Sequence, residues 1–516
     1  MDNPRAAGVL LHPTSLPGKF GIGDLGPEAF SFADFLNSAG QTFWQILPLG
    51  PTGYGDSPYQ SYSAFAGNTL LISPERLAAD KLLTSAELKG RPKFKQGRVD
   101  FGAVYEWKNK ILHLAFESFK RSSNDDLAGE FDTFQQHNNW WLDDYALYRA
   151  LKLSHDHKAW YEWPAELKLR DPHAIQTAAN ELAENIREQK FHQFLFFRQW
   201  HAVKNYANGR GVRIIGDVPI FLALDSADVW CNRDKFKLNA DGSPRVVAGV
   251  PPDYFSKTGQ LWGNPIYDWD AMRRDDFRWW AARIAFTLGT VDVIRLDHFR
   301  GFAAAWEVPG TDETAENGAW VDVPGRELFS ALRRHLGDLP VIAEDLGFIT
   351  PDVVELRDSF GFPGMKVLQF AFGGDAHNQD LPHNYTRNCV AYTGTHDNDT
   401  TIGWWHAAET RPVGSVPRAP TPRPQPDSAV HLHCKTYLNT TAAEINWDLI
   451  RAAWASVAQT AIAPLQDILG LGSEARMNLP ASTNNNWTWR FGPKDLTEKL
   501  AKRLRDLTDL YARTPR

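Results

Sequence analysis

Short apolar runs that end in a polar or charged residue recur along the chain, and helical periodicity fills the spaces between them. The runs lie at 7–13, 42–49, 212–220, 291–299, 340–347, 365–372, 389–397 and 474–480. They are continuous rather than alternating, which is the pattern of strands covered on both faces in a parallel sheet. Helices are predicted over 27–40, 191–207, 275–289, 325–337, 350–360, 443–469 and 494–512. In the first, Ala29, Phe32, Phe35 and Leu36 share a face, Pro27 suits a first turn and Gly40 a carboxyl-terminal stop. Strand followed by helix, repeated eight times, predicts an α/β fold, a (β/α)8 TIM barrel spanning 1–516 as one catalytic unit.

Two gaps are too long for a crossover helix. Residues 50–190, after the second strand, carry helical stretches such as 104–120 and 143–154 and predict an inserted helical subdomain. Residues 221–274, after the third, are rich in Pro, Gly, Asp and aromatics and predict an irregular cap. Both follow strands, so both insertions are expected on the carboxyl-terminal, catalytic face of the barrel. The Pro-rich stretch 411–426 reads as a flexible loop at the barrel mouth.

Composition narrows the function classes. A net charge of −7 and a pI near 6.2, with no Lys/Arg stripe, exclude nucleic acid as a partner. No run approaches the length of a membrane span, and His12 and Pro13 interrupt the first apolar run before it could serve as a signal peptide. Cys231, Cys389 and Cys434 are odd in number and far apart, which argues for a reducing compartment. The expectation is a cytoplasmic protein, or a plastid one in mature form without its transit peptide. The 20 Trp residues are mostly core filling, but flat indoles also suit the apolar faces of sugar rings.

Four strand ends carry an acid: Asp217, Asp297, Glu344 and Asp397. A single Asp after a strand is as easily a helix cap. Four in one barrel converge on one mouth, with Arg295 and His298 beside Asp297 and His396 beside Asp397. Glu caps helices poorly, so Glu344 is the hardest to dismiss as structural. Retaining glycoside cleavage needs a carboxylate nucleophile and a carboxylic acid roughly 5–5.5 Å apart, and a third acid can hold the sugar hydroxyls.

The stretches LLHPTSLPGKFGIGDLG (10–26), SPYQSYSAFAGN (57–68), GDVPIF (216–221), DSADVW (225–230), PPDYFSKTGQLWGNPIYDW (251–269), IRLDHFRGF (294–302), EDLG (344–347) and THDNDT (395–400) resemble the amylomaltases, the 4-α-glucanotransferases or disproportionating enzymes of glycoside hydrolase family 77. The resemblance runs from about residue 8 to the carboxyl terminus in one order. It implies transfer of α-1,4-glucan segments between maltooligosaccharides, with Asp297 as nucleophile, Glu344 as general acid/base and Asp397 as transition-state stabiliser. By the same resemblance Arg295 would orient the nucleophile, Asp217 and His396 would bond the donor sugar, and Tyr59 would stack beneath it. Trp262 would shape and cover the cleft, and Asn478 would contact substrate. No metal and no organic cofactor is implied.

Two features depart from the family pattern: the Pro-rich 411–426 stretch, and Ala481 where the family often has Gly. His431, His433 and Cys434 form a cluster with zinc-ligand residue types but no fourth ligand nearby in sequence. GIGDLG lacks the strand and trailing acid of a dinucleotide site. Besides transfer, three readings stay open from residues alone: an α-amylase-like hydrolase with the same acids, a non-catalytic glucan-binding protein, and a barrel enzyme acting on phosphorylated sugars.

Overall fold

The computed structural model describes residues 5–122, 124–252, 256–410, 427–480, 482 and 485–514; the 411–426 stretch and Ala481 lie outside the described residues. Eight strands run parallel: β1 (Ala6–Leu10), β2 (Phe43–Gln45), β3 (Arg213–Val218), β4 (Val293–Leu296), β5 (Val341–Ala343), β6 (Gly364–Val367), β7 (Cys389–Tyr392) and β8 (Thr460–Pro464). Their order is β6-β7-β8-β1-β2-β3-β4-β5, and the Ala343 N–H donates to the Pro363 carbonyl at 2.9 Å, which brings the two ends of the sheet together. This is the (β/α)8 barrel. Where β1 meets β2 only glycine fits, because a Cβ on Gly8 would lie 2.6 Å from the Phe43 Cβ.

The last strand is not where the apolar pattern put it. Residues 474–480 are a 3-10 turn, Ser473–Ala475, followed by irregular chain. The helix predicted over 443–469 breaks into Ile445–Ala455, strand β8 and Leu465–Leu469. TAIAP is short and alanine-rich, and such a run reads equally as buried helix. The gap between β1 and β7 decides the matter, since Ala461 pairs with Ala7 on one side and Ala391 on the other. The crossover from β6 to β7 likewise contains 3-10 turns, Leu368–Gly373 and Pro382–Asn384, in place of an α-helix.

Helices Phe101–Arg121 and Asp125–Ser154 lie between β2 and β3, and Ala183–Gly209 leads into β3. After β3 come strands Val246–Val250 and Gln260–Pro265, which pair antiparallel with each other; Val246–Val250 also pairs with Ala304–Pro309 from beyond β4, which in turn pairs with Ala319–Asp322. The small sheet therefore draws on two successive loops of the catalytic face. Trp44, Trp160, Trp200, Trp230, Trp280 and Trp454 are fully buried and serve the core.

Candidate active site

The acids reach one place because of register. Side chains two apart on a strand share a face, so Arg295 and Asp297 at the end of β4 project together. Asp217 on β3 is paired in register with Arg295. One guanidinium nitrogen of Arg295 donates to both oxygens of Asp217 at 2.8 Å and to Asp297 Oδ1 at 2.9 Å. The Glu344 N–H donates to the Leu296 carbonyl, and the Phe299 N–H donates to the Glu344 carbonyl, which lock Asp297 and Glu344 onto neighbouring strand ends.

His298, immediately after Asp297, adopts a left-handed conformation with φ 50°. Its N–H donates to Glu344 Oε2 at 2.6 Å, and the Leu346 N–H donates to Oε1 at 2.9 Å. Those bonds favour the carboxylate, as does Arg295, but burial and the nearby Asp297 charge outweigh them. Burial leads in pushing the Glu344 carboxyl up to about 8. Burial also works against the Arg295 charge, yet Asp217 and Asp297 overcome it and hold the guanidinium well above its usual range. Burial lowers the His298 ring to about 4, so it is neutral at physiological pH.

Across the mouth, Asp397 lies five residues beyond β7. Asn478 Nδ2 donates to its Oδ1 at 2.6 Å, and His396 Nε2 lies 3.4 Å from the same oxygen. Arg476 donates to the Asp397 carbonyl at 2.5 Å and to the Asn478 carbonyl at 2.7 Å. The loop itself is pinned by Asp467, which accepts from Thr393 Oγ1 and the Thr401 N–H. Tyr59 joins the two halves: its hydroxyl donates to Asp217 Oδ2 at 2.8 Å, and its ring stacks on His396 at 5.2 Å. Burial, then the Asp217 charge, raise that phenol well above its ordinary range and keep it a donor.

A cleft of about 860 Å³ opens between these groups. Tyr59, Trp262, Asp297, His298, His396, Asp397, Asn478 and Trp487 are among the side chains on its wall. Trp262, on the small sheet, stands edge-to-face on His298 at 4.8 Å. An aromatic-lined groove with a few placed carboxylates is suited to a sugar chain.

The model of the 4-alpha-glucanotransferase family, glycoside hydrolase family 77, matches residues 11–496. The chain belongs to this family and is a 4-alpha-glucanotransferase. It is 48% identical to the 4-alpha-glucanotransferase of Thermus thermophilus over 99% of this chain and all of that one. It is 45% identical to the chloroplastic/amyloplastic 4-alpha-glucanotransferase of Solanum tuberosum, over 99% of this chain and 87% of that one. The solved amylomaltase from Streptococcus agalactiae, in complex with acarbose, superposes with a TM-score of 0.92 at 40% identity, covering 99% of this chain and 100% of that one.

Within this 4-alpha-glucanotransferase, six of the nine residues singled out from sequence, Tyr59, Trp262, Asp297, His396, Asp397 and Asn478, stand on the cleft wall, while Asp217, Arg295 and Glu344 adjoin it without lining it. The Asp217 side chain has no exposed surface and is enclosed by Arg295 and Tyr59, so it lies behind the cleft wall rather than on it. Sequence reading missed Arg476, Trp487 and the N–H groups of His298 and Leu346. Arg476 stands two residues before Asn478, and that spacing was its only signal. The candidate zinc cluster is turned apart: His431 Nε2 pairs with the Trp405 carbonyl, His433 Nδ1 with the Phe372 carbonyl, and Cys434 is buried. Among the described residues no group of three His, Cys, Asp or Glu is placed to hold a metal ion, and no helix is long and apolar enough to cross a membrane.

Proposed function

We propose that Asp297 is the nucleophile, Glu344 the general acid and base, and Asp397 the stabiliser of a retaining transfer between maltooligosaccharides. The reading is carried by one observation: two carboxyl groups on adjacent strand ends sit in opposite environments. Asp297 is fastened to a guanidinium, while the Glu344 carboxyl is pushed up to about 8. Arg295 holds one Asp297 oxygen, and the other attacks the anomeric carbon of an α-1,4 bond. As that bond breaks, neutral Glu344 gives its proton to the departing glycosidic oxygen. The shortened glucan leaves, and its donor half stays joined to Asp297.

The 4-hydroxyl of an incoming glucan then gives its proton to Glu344 and displaces Asp297. Two inversions restore the α configuration. His396 and Asn478, bound on the Asp397 side, bond the donor sugar, with Tyr59 beneath it and Trp262 over it. Asp217 acts by bracing Arg295 and Tyr59. Transfer must outrun hydrolysis, and an acceptor held in place supplies the effective molarity that water lacks. We place the enzyme in the cytoplasm or the plastid interior, in keeping with its three free cysteines.

Incubation of the protein with maltotriose tests this reading. A ladder of longer maltooligosaccharides plus glucose, at constant reducing ends, is expected. Rising reducing ends without longer products would instead mean a hydrolase built on the same acids.

A further inference from the structure

Among the aromatic rings that stay exposed outside the cleft are Phe348, by 79%, and Trp320, by 39%. Scattered single apolar residues on a surface need no explanation, but these two share a clip. The Arg300 guanidinium lies 4.0 Å from the centre of Trp320 and 5.8 Å from that of Phe348. It also donates to the Phe348 carbonyl at 3.1 Å and to Thr350 Oγ1 at 2.9 Å. On its other flank Trp320 meets Trp306 edge-on at 5.4 Å, its partner in the strand register. Trp320 is therefore held from two sides, and the Phe348 backbone is tied to the same guanidinium, with both rings left exposed.

Their place in the chain ties them to the chemistry. Arg300 is three residues past Asp297 and Phe348 four past Glu344. At full extension four residues span at most about 14 Å, a few sugar units from the carboxyl groups. The loop that carries Phe348 is the one whose Leu346 N–H holds Glu344. Glu344 protonates the departing sugar, so the chain just beyond it flanks the departing and incoming glucan. Trp320 lies on the small sheet whose opposite edge strand carries Trp262 of the cleft wall.

We propose that Trp320 and Phe348, clipped by Arg300, form an acceptor-side platform on which the α-glucan beyond its first sugar stacks. The occupant follows from the chemistry: pyranose rings present apolar C–H faces to flat aromatic ones. The platform rests on the transferase reading above and adds a length preference to it. A single glucose acceptor fills only the first position and never reaches the rings, whereas maltotetraose does.

The test uses the full chain with α-maltosyl fluoride as donor and compares glucose with maltotetraose as acceptor. Trp320→Ala/Phe348→Ala is expected to raise the KM for maltotetraose about tenfold, equivalent to about 1.4 kcal/mol, with the glucose KM and kcat unchanged. Phe348→Ala alone, whose ring supports no packing, gives a smaller rise, and Trp320→Tyr/Phe348→Tyr restores the affinity. An equal rise for both acceptors would mean a structural role and overturn the platform. So would an unchanged maltotetraose KM, including the case in which the double variant changes oligomeric state and reveals a self-association surface. Calorimetric binding of maltoheptaose in an Asp297→Asn background separates the two readings. Should the wild type fail to transfer while platform removal still weakens that binding, the transferase reading falls and the platform stands.

Discussion

The Glu344 proton offers the sharpest prediction. In the glycosylation step the carboxyl must be neutral, and it is raised from 4.5 to about 8. At pH 7 about 90% of such a group is protonated, against about 0.3% at its ordinary value, so the shift is worth roughly 300-fold in active enzyme. The sign follows from the acid form being the working one. The kcat/KM for the maltotriose donor should be flat from pH 6 to 7.5 and fall tenfold per unit above about pH 8. The perturbation is to change the leaving group. Fluoride departs without a proton, so the glycosylation rate from α-maltosyl fluoride, followed by fluoride release in the first turnover, should lose the alkaline limb. Glu344→Gln should slow maltotriose glycosylation by at least about 10³-fold while leaving first-turnover fluoride release within about tenfold of wild type. An alkaline limb that persists with the fluoride donor, or an alkaline limb for maltotriose centred below pH 6, would refute the assignment.

The other predictions concern the neighbours of that group. Asp297→Asn should lower turnover by at least about 10³-fold on both donors, because the nucleophile is lost whatever the leaving group; a purified variant with substantial turnover removes Asp297 from its role. Arg295→Met strands Asp217, whose side chain is wholly buried, and should cost about 3–5 kcal/mol in urea unfolding. Adding Asp217→Asn should recover part of that loss, and strict additivity of the two would show that the pair is not coupled. Gly8→Ala forces a Cβ against the Phe43 backbone between β1 and β2 and should destabilise by about 1–3 kcal/mol, read as a lower urea midpoint at unchanged activity per folded molecule.

Much of this molecule was legible before any coordinates. Seven barrel strands were marked by continuous apolar runs, because a strand covered on both faces must be apolar throughout. The acids proposed for catalysis were marked because Asp297 and Glu344 close such runs and Asp397 follows one closely, and strand ends in a barrel meet. Local chemistry of this kind is written residue by residue.

What the chain alone did not decide are matters of pairing. TAIAP became β8 only because β1 and β7 left edges that needed partners, and an alanine-rich pentapeptide has no preference strong enough to say so. Asp217 carried the same signature as Asp297, yet its register opposite Arg295 sent it behind the wall while Asp297 faced the cleft. The His298 and Leu346 N–H groups that grip Glu344 belong to the backbone and leave no mark in side-chain identity. The raised Glu344 carboxyl is likewise a tertiary property: burial and the Asp297 charge exist only once β4 and β5 lie side by side, since desolvation depends on everything around a group and not on the group itself.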